Sequence, residues 1–211
     1  MTDVKPPGST LSGSAHIEPV ALDALAEVEG VISVARQASG YVPTSMRIMA
    51  HKPDILRAFG GLIGAIMRTE TELPMVTKWL TAHAVSTAAG CVYCQAHTAA
   101  NGGKKGLATE KVQELLNYRE SPLFNDAERA VIEFGLAAGE VPNATNRGHF
   151  DELRKHFTQG QIVEMVSVIS LFGWLNRWND TFASDLEEAP RAFATEKLAA
   201  RGWDVGKHAA D

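Results

Sequence analysis

The residues most suited to chemistry are Cys91, Cys94 and His97, and the chain has no other cysteine. If a helix begins at or near Cys91, just after Gly90, residues three apart become neighbours on nearly one helical face. Two thiols at this spacing can close a small disulfide ring. The first turn of a helix also offers unpaired N–H groups and a positive dipole end, both of which favour thiolate. The motif therefore supplies a nucleophile, a resolving thiol and a proton acceptor.

Three kinds of site are compatible with this motif. In a protein without a secretory signal, Cys-x-x-Cys indicates a redox-active dithiol, which is the interpretation we favour. Structural zinc usually takes four ligands from two separated pairs, so zinc here would need His97 and a remote group such as His83. In the third interpretation, Cys91 and Cys94 are buried thiols that only pack in a helical core.

The residues around the motif resemble the carboxymuconolactone decarboxylase/alkylhydroperoxidase D superfamily. Residues 90–98 read Gly-Cys-Val-Tyr-Cys-Gln-Ala-His-Thr and follow a stretch rich in Ala, Val and Ser. Residues 40–43 and 51–56 resemble the segment that leads into the family's core, and residues 175–180 resemble its last core helix. The resemblance covers the chain from about residue 25 to residue 188.

This resemblance implies an all-α, alkylhydroperoxidase D-like helical bundle, homo-oligomers, and peroxide reduction through the dithiol. By the same resemblance Cys94 reacts and Cys91 resolves, while a histidine and a glutamate relay the proton. Two residues separate Cys94 from His97, where the histidine-bearing hydroperoxidases usually have three. The relay glutamate stands twelve residues before the first cysteine, and this chain has Trp79 there.

His83 is the residue that could replace this glutamate. Val76, Trp79, Leu80 and His83 are spaced as one apolar helical face, so His83 is expected on that face. One interpretation is a core histidine whose polar atoms find backbone partners. In the other, its imidazole relays protons, and its ring lies close to His97 or Cys94, directly or through one water.

Composition limits the class of partner. The formal net charge is −5 and no basic cluster occurs, which argues against nucleic acid. No apolar run approaches the ~20 residues that cross a bilayer, so no membrane partner is expected. The first sixteen residues lack the apolar stretch of a signal peptide. We therefore expect a cytoplasmic protein, and in that reducing compartment a cysteine pair is more often catalytic than structural.

Helical periodicity predicts seven to ten helices, no strands, and the cysteines at a helix N-terminal turn. The predicted organisation is a disordered arm over 1–18, a single all-helical domain over 19–188 and a C-terminal tail over 189–211 that wraps a neighbouring subunit. The long apolar helix predicted over 162–182 has more apolar surface than one small bundle needs, which indicates an obligate homo-oligomer.

A polar cluster near the end of that helix has two interpretations. In the first, it is a polar helix end in which Arg177 pairs with Asp180 or Glu187. In the second, Asn176 or Asn179 lies at the mouth of the cysteine pocket.

The predicted function is reduction of a small-molecule hydroperoxide. Cys94 would become sulfenic acid, Cys91 would condense with it, and an external thiol or dithiol would restore the pair. The pKa of Cys94 is expected below the reference near ~8.5. Helix-terminus physics alone favours Cys91 as the more acidic thiol, and the resemblance decides for Cys94. No organic cofactor or metal is implied.

Two alternatives stay open. One is a lactone decarboxylase-like lyase that uses His83 or His97 for general acid-base chemistry. The other is a non-enzymatic helical oligomer whose dithiol senses oxidants.

Overall fold

The computed structural model describes residues 13–68 and 71–209, and all regular structure in this part is helical. This confirms the all-α prediction, and the ten α-helices found there lie within the predicted range. In chain order they are α1 (Glu29–Ser39), α2 (Thr44–Met49), α3 (Pro53–Met67), α4 (Met75–Ala88), α5 (Val92–Gly103), α6 (Thr109–Gln113), α7 (Asp126–Gly139), α8 (Arg147–Leu153), α9 (Gln159–Phe182) and α10 (Glu188–Leu198).

Helix α4 lies at the centre of the bundle and packs against α5, α7 and α9. Every residue from Leu80 to Ser86 is buried, so this helix has no solvent-facing polar stripe. A helix that is buried on all sides belongs inside a bundle rather than on its surface. Because α5 folds back against α4, the cysteine motif at the start of α5 is held next to the core.

Local sequence signals account for the start of α9. Thr158 caps the start of α9 by accepting a hydrogen bond from the backbone N–H of Gln161, whose side chain bonds back to the N–H of Thr158. This reciprocal capping satisfies two otherwise unpaired donors. Helix α9 therefore begins at Gln159, three residues before the start predicted for it.

Two glycines let α7 approach α4 closely. A Cβ at Gly135 would lie 2.8 Å from the Ala84 Cβ, and one at Gly139 would lie 2.7 Å from the Ala88 Cβ. In α3, a Cβ at Gly60 would lie 2.6 Å from the Val31 Cγ1, whereas a Cβ at Gly61 would have nothing within 4 Å.

Gly135→Ala should lower the free energy of unfolding by about 1–3 kcal/mol, because the added methyl overpacks the α4–α7 contact. Gly61→Ala is the matched control, since it adds a methyl in open space at an exposed helical position. The control should be neutral or stabilising by up to about 1 kcal/mol. Denaturant unfolding of both variants checks this, and equal midpoints would contradict the close approach.

Both predicted terminal segments are corrected where the structure describes them. Within the predicted arm, residues 13–18 are not free: Ala15 is buried and the N–H of His16 donates to the carbonyl of Phe182 at 2.8 Å. The rest of that arm lies outside the described residues. The predicted tail packs on its own chain, where α10 contacts α5 and the indole N–H of Trp203 donates to the Val92 carbonyl at 3.1 Å.

None of the helices within the described ranges combines the length and the hydrophobicity needed to cross a bilayer.

Assembly into a homo-oligomer stays a prediction, and the exposed side of α9 is where we expect contact. Val163 on this helix leaves 65% of its surface exposed. Light scattering at micromolar concentration should show an oligomer, and Val163→Glu should dissociate it. Leu116→Glu is the control, because Leu116 is 75% exposed but lies in a short turn after α6. A wild-type monomer would contradict the prediction.

Candidate active site

The cysteine pair lies at the first turn of α5, as predicted. Gly90 adopts φ +69°, which turns the chain out of α4, and Cys91 is the N-cap of α5. The Cys91 Sγ accepts a hydrogen bond from the backbone N–H of Cys94 at 3.4 Å. Both cysteines are reduced and buried. The helix N-terminus therefore acts directly on Cys91 rather than on Cys94.

Cys94 borders a cavity of about 260 Å³ enclosed by several helices. Its wall is mostly apolar and aromatic, with a smaller number of polar side chains. The polar residues include His97, Tyr93 and Asn179, which line the same cavity as Cys94. The apolar part includes Met46, Phe59, Ile63, Met67, Trp79 and Phe172. Such a cavity suits a small, largely apolar molecule.

Burial raises the pKa of the Cys94 thiol well above its usual value. The neighbouring Cys91 thiol also raises it, and the side-chain amide of Asn179 opposes the shift. The prediction of a pKa below ~8.5 is therefore wrong. The reason is that apolar surroundings disfavour the thiolate and that the helix N–H is used by Cys91. Cys94 is therefore a protonated thiol, and a neighbouring group must stabilise its thiolate for it to react.

Asn179 is the residue placed to give that help. Its Nδ2 lies 3.6 Å from the Cys94 Sγ and also donates to the Leu175 carbonyl at 3.0 Å, which fixes the amide orientation. The interpretation that put Asn176 or Asn179 at the mouth of the cysteine pocket is correct for the pocket in the case of Asn179, but this side chain is buried beside the thiol and not at the mouth. The rival interpretation, in which Arg177 pairs with Asp180 or Glu187, is wrong.

In the structure both carboxylates have other partners. Asp180 lies 3.2 Å from the His208 Nε2, and Glu187 lies 2.7 Å from the His97 Nε2. Arg177 is exposed on α9.

Glu187 is the site carboxylate that sequence reasoning missed. It stands just before α10, and its Oε2 is bonded to the His97 Nε2. Its Oε1 accepts hydrogen bonds from the Tyr93 hydroxyl at 2.9 Å and from the backbone N–H of Thr44. The other ring nitrogen of His97, Nδ1, is 3.2 Å from the Tyr41 hydroxyl. A buried carboxylate therefore orients the histidine from ninety residues away in sequence.

Burial alone would raise the pKa of Glu187, but the charge of His97 and the hydrogen bonds from His97 and Thr44 outweigh it. The pKa of Glu187 therefore lies below its usual value, and the side chain is a carboxylate at neutral pH. Burial next to this charge raises the pKa of Tyr93 and of Tyr41. Both tyrosines are consequently neutral hydrogen-bond donors.

His83 does not have the contacts that its predicted relay needs. Its Nδ1 is 2.8 Å from the Thr98 hydroxyl, and that hydroxyl lies 2.8 Å from the Cys94 carbonyl oxygen. The connection to Cys94 thus runs to the backbone and not to the thiol. Burial lowers the pKa of His83 to about 4, partly offset by a hydrogen bond with the backbone of Gln95. A neutral imidazole of this kind accepts protons poorly at pH 7, and we assign His83 a structural role.

His97 is held by Glu187 and Tyr41, and it stacks on the Tyr93 ring with centroids 4.4 Å apart. Both of its ring nitrogens are therefore engaged by groups other than Cys94.

Tyr93 lies inside the Cys-x-x-Cys motif, so its presence near the thiols was evident from sequence. Glu187 carried no such signal, because only the fold brings the start of α10 to α5.

Within the described residues, no group of three or more His, Cys, Asp or Glu side chains could hold a metal ion.

Comparison with known proteins places these features in a family. Residues 53–137 match the model of the carboxymuconolactone decarboxylase family. One similar solved structure is that of a cysteine-to-alanine variant of the debrominase Bmp8 in complex with 2,3,4-tribromopyrrole. Its sequence is 31% identical to this chain, and the two structures superimpose with a TM-score of 0.79. The match covers 90% of this chain and 98% of the Bmp8 chain.

Two further relatives are more distant. The alkylhydroperoxidase AhpD core of a peroxidase-related protein from Ralstonia eutropha JMP134 is 25% identical with a TM-score of 0.71, covering 83% of this chain and 94% of that chain. Escherichia coli K12 YnjA is 24% identical over 144 residues, which is 68% of this chain and 79% of YnjA. The chain belongs to the carboxymuconolactone decarboxylase/alkylhydroperoxidase D-like family.

Proposed function

We propose that this protein is a dithiol-dependent reductase that reduces a small apolar hydroperoxide at Cys94. The observation that carries the proposal is the arrangement of the two thiols. Cys94 borders an apolar cavity, and the thiol of Cys91 lies behind it within hydrogen-bond reach. A substrate in the cavity therefore meets Cys94 first, and Cys91 is placed to resolve what forms there.

The chemistry balances with these two thiols alone. The Cys94 sulfur attacks the terminal oxygen of the hydroperoxide, the O–O bond breaks, and the alkoxide leaves as an alcohol after it receives the proton that the Cys94 thiol has lost. Cys94 is now sulfenic acid. The Cys91 sulfur displaces its hydroxyl group as water, which gives a disulfide. An external thiol or dithiol then reduces the disulfide by exchange.

The proton of Cys94 needs a carrier, and in this proposal His97 takes it at Nδ1, which must first exchange its contact with the Tyr41 hydroxyl. Histidine is the side chain whose charge changes most readily near neutral pH. His97 borders the same cavity as Cys94, and the Glu187 carboxylate orients its ring through the 2.7 Å hydrogen bond at Nε2. In this proposal Asn179 stabilises the thiolate, and the Glu187–His97 pair handles the proton.

A second candidate function follows from the likeness to Bmp8, which is named a debrominase. The same two thiols could remove bromine from an aromatic compound. The Cys94 sulfur would take the bromine, the C–Br bond would break, and the ring carbon would accept a proton. Cys91 would then displace bromide and form the disulfide. Both reactions transfer one electrophilic atom to Cys94 and take two electrons from the pair.

The test is consumption of cumene hydroperoxide with dithiothreitol by wild type, Cys94→Ser, Cys91→Ser and the double variant. We expect Cys94→Ser and the double variant to fall to the rate of dithiothreitol alone, because the nucleophile is lost. Bromide release from 2,3,4-tribromopyrrole by the same four proteins tests the second candidate. Turnover that persists in the double variant would overturn both candidates. Stoichiometric oxidation without turnover would favour the sensor.

A further inference from the structure

The lysine and arginine residues that line the cavity give it a positive charge. Arg68, Lys104 and Lys105 line it, and among the described lining residues there is no aspartate or glutamate. The whole chain has the opposite balance, with 25 acidic residues against 20 lysines and arginines. Three cations, with no acidic residue among the described residues that line this mostly apolar cavity, therefore stand out in this acidic protein.

Arg68 is the least solvated of the three. It ends α3 as the C-cap, and its side chain is half-buried, whereas both lysines are exposed. Burial lowers the pKa of its guanidinium, and no carboxylate contributes to that shift among the described residues. Removing a cation from water without a paired anion is unfavourable, and a bound anion would recover that free energy. Lys104 is oriented by the Ser39 carbonyl at 3.0 Å, which leaves two of its donors for other partners.

We propose that the substrate of this site is an amphipathic anion. Its apolar body, most simply an aromatic ring or a short branched chain, occupies the cavity and brings the reacting atom to Cys94. Its carboxylate, or a similarly charged oxygen group, stays at the mouth and is held by the fork of Arg68. A planar guanidinium matches a carboxylate with two parallel hydrogen bonds, while the lysines add attraction at longer range. This inference rests on the proposed reaction at Cys94.

Binding can be measured without any turnover. We would titrate the Cys94→Ser protein with 4-isopropylbenzoate and with the neutral 4-isopropylbenzamide, which share the same body, and follow tryptophan fluorescence, because Trp79 borders the cavity. The carboxylate should bind roughly tenfold or more tightly than the amide, as expected for a hydrogen bond to a charged group. Its advantage should shrink as salt is added.

Substitution then tests the assignment to Arg68. Arg68→Gln should remove most of the preference for the carboxylate and leave amide binding unchanged, whereas Arg68→Lys should keep part of it. Arg147→Gln is the matched control, because Arg147 is 92% exposed on α8 and does not line the cavity. Equal binding of the two ligands to the unsubstituted site, or an equal effect of Arg68→Gln on both, would overturn the proposal.

Kinetics separate this inference from the proposed function. In the protein with both cysteines, the para-carboxylate derivative of cumene hydroperoxide should be turned over at a higher kcat/KM than cumene hydroperoxide. If binding shows the carboxylate preference but neither peroxide is consumed, the anion site stands and the peroxidase proposal fails. If both are consumed equally and binding shows no preference, the peroxidase proposal stands and the anion site fails.

Discussion

Replacing Glu187 with glutamine should slow the dithiol reaction about 10²-fold or more near pH 7, the usual worth of positioned proton transfer. Glutamine keeps the size of the side chain and one acceptor oxygen, so Tyr93 and Thr44 can still bond to it. It removes the negative charge that faces His97 across the 2.7 Å hydrogen bond. The loss should therefore appear in kcat and in the pH profile of the reaction rather than in substrate binding.

The control for this variant is Glu188→Gln, which makes the same change at the next residue, an exposed position in the first turn of α10. It should keep the wild-type rate and pH profile. If Glu187→Gln and Glu188→Gln react equally fast, the Glu187–His97 pair only holds α10 in place and takes no part in proton handling.

Stability should depend on pH through the same carboxylate. The pKa of Glu187 in the folded protein lies below its value in the unfolded chain, which is near ~4.3. The unfolded state therefore binds the proton more readily, and the contribution of Glu187 is fully present above that pH. The difference in unfolding free energy between wild type and Glu187→Gln should be constant from neutral pH down to about 5, and it should shrink as the pH falls further.

Asn179→Ala should slow alkylation of Cys94 by iodoacetamide about tenfold or more at pH 7.5, since a hydrogen bond to a charged group is lost. Burial already raises the pKa of this thiol, and the Asn179 amide is the group whose hydrogen bond opposes the shift. Its removal should raise the pKa of Cys94 further. The midpoint of the pH–alkylation curve, measured in a Cys91→Ser background, reports the change directly.

Asn176→Ala is the matched control, one turn earlier on α9. Asn176 is buried, but its amide has no hydrogen-bond partner among the described residues and lines a different depression. It should leave the pKa of Cys94 unchanged. Similar alkylation curves for Asn179→Ala and the unsubstituted background would show that the 3.6 Å contact to the Cys94 Sγ does not stabilise the thiolate.

Local features of the site could be predicted from sequence, because they depend on residues close together in the chain. The glycine break, the start of α5 and the first-turn position of both thiols all follow from residues 90 to 94. Helical periodicity likewise placed His83 on a buried face of α4. Helical periodicity could not determine which side chain the His83 ring contacts. That side chain is Thr98 and not a cysteine.

The groups that decide reactivity come from distant parts of the chain. Glu187 reaches His97 only because α10 folds back onto α5, and this segment was predicted to leave the domain as a tail. The sign of the Cys94 pKa shift depended on how deeply α9 and the apolar wall bury the thiol. A helix N-terminus alone predicts a lower pKa for the Cys94 thiol. Burial outweighs that effect here, because the backbone N–H of Cys94 donates its hydrogen bond to the Cys91 Sγ.

The most direct test of the dithiol mechanism is a single turnover without external reductant. Reduced wild-type protein would be mixed with one equivalent of cumene hydroperoxide, and its thiols and mass would then be measured. We expect two thiols lost per peroxide and a Cys91–Cys94 disulfide in wild type, with sulfenic acid trapped on Cys94 in Cys91→Ser. Sulfenic acid forming on Cys91 in the Cys94→Ser variant at the wild-type rate, or peroxide reduction without loss of thiols, would contradict the assignment of Cys94 as the nucleophile.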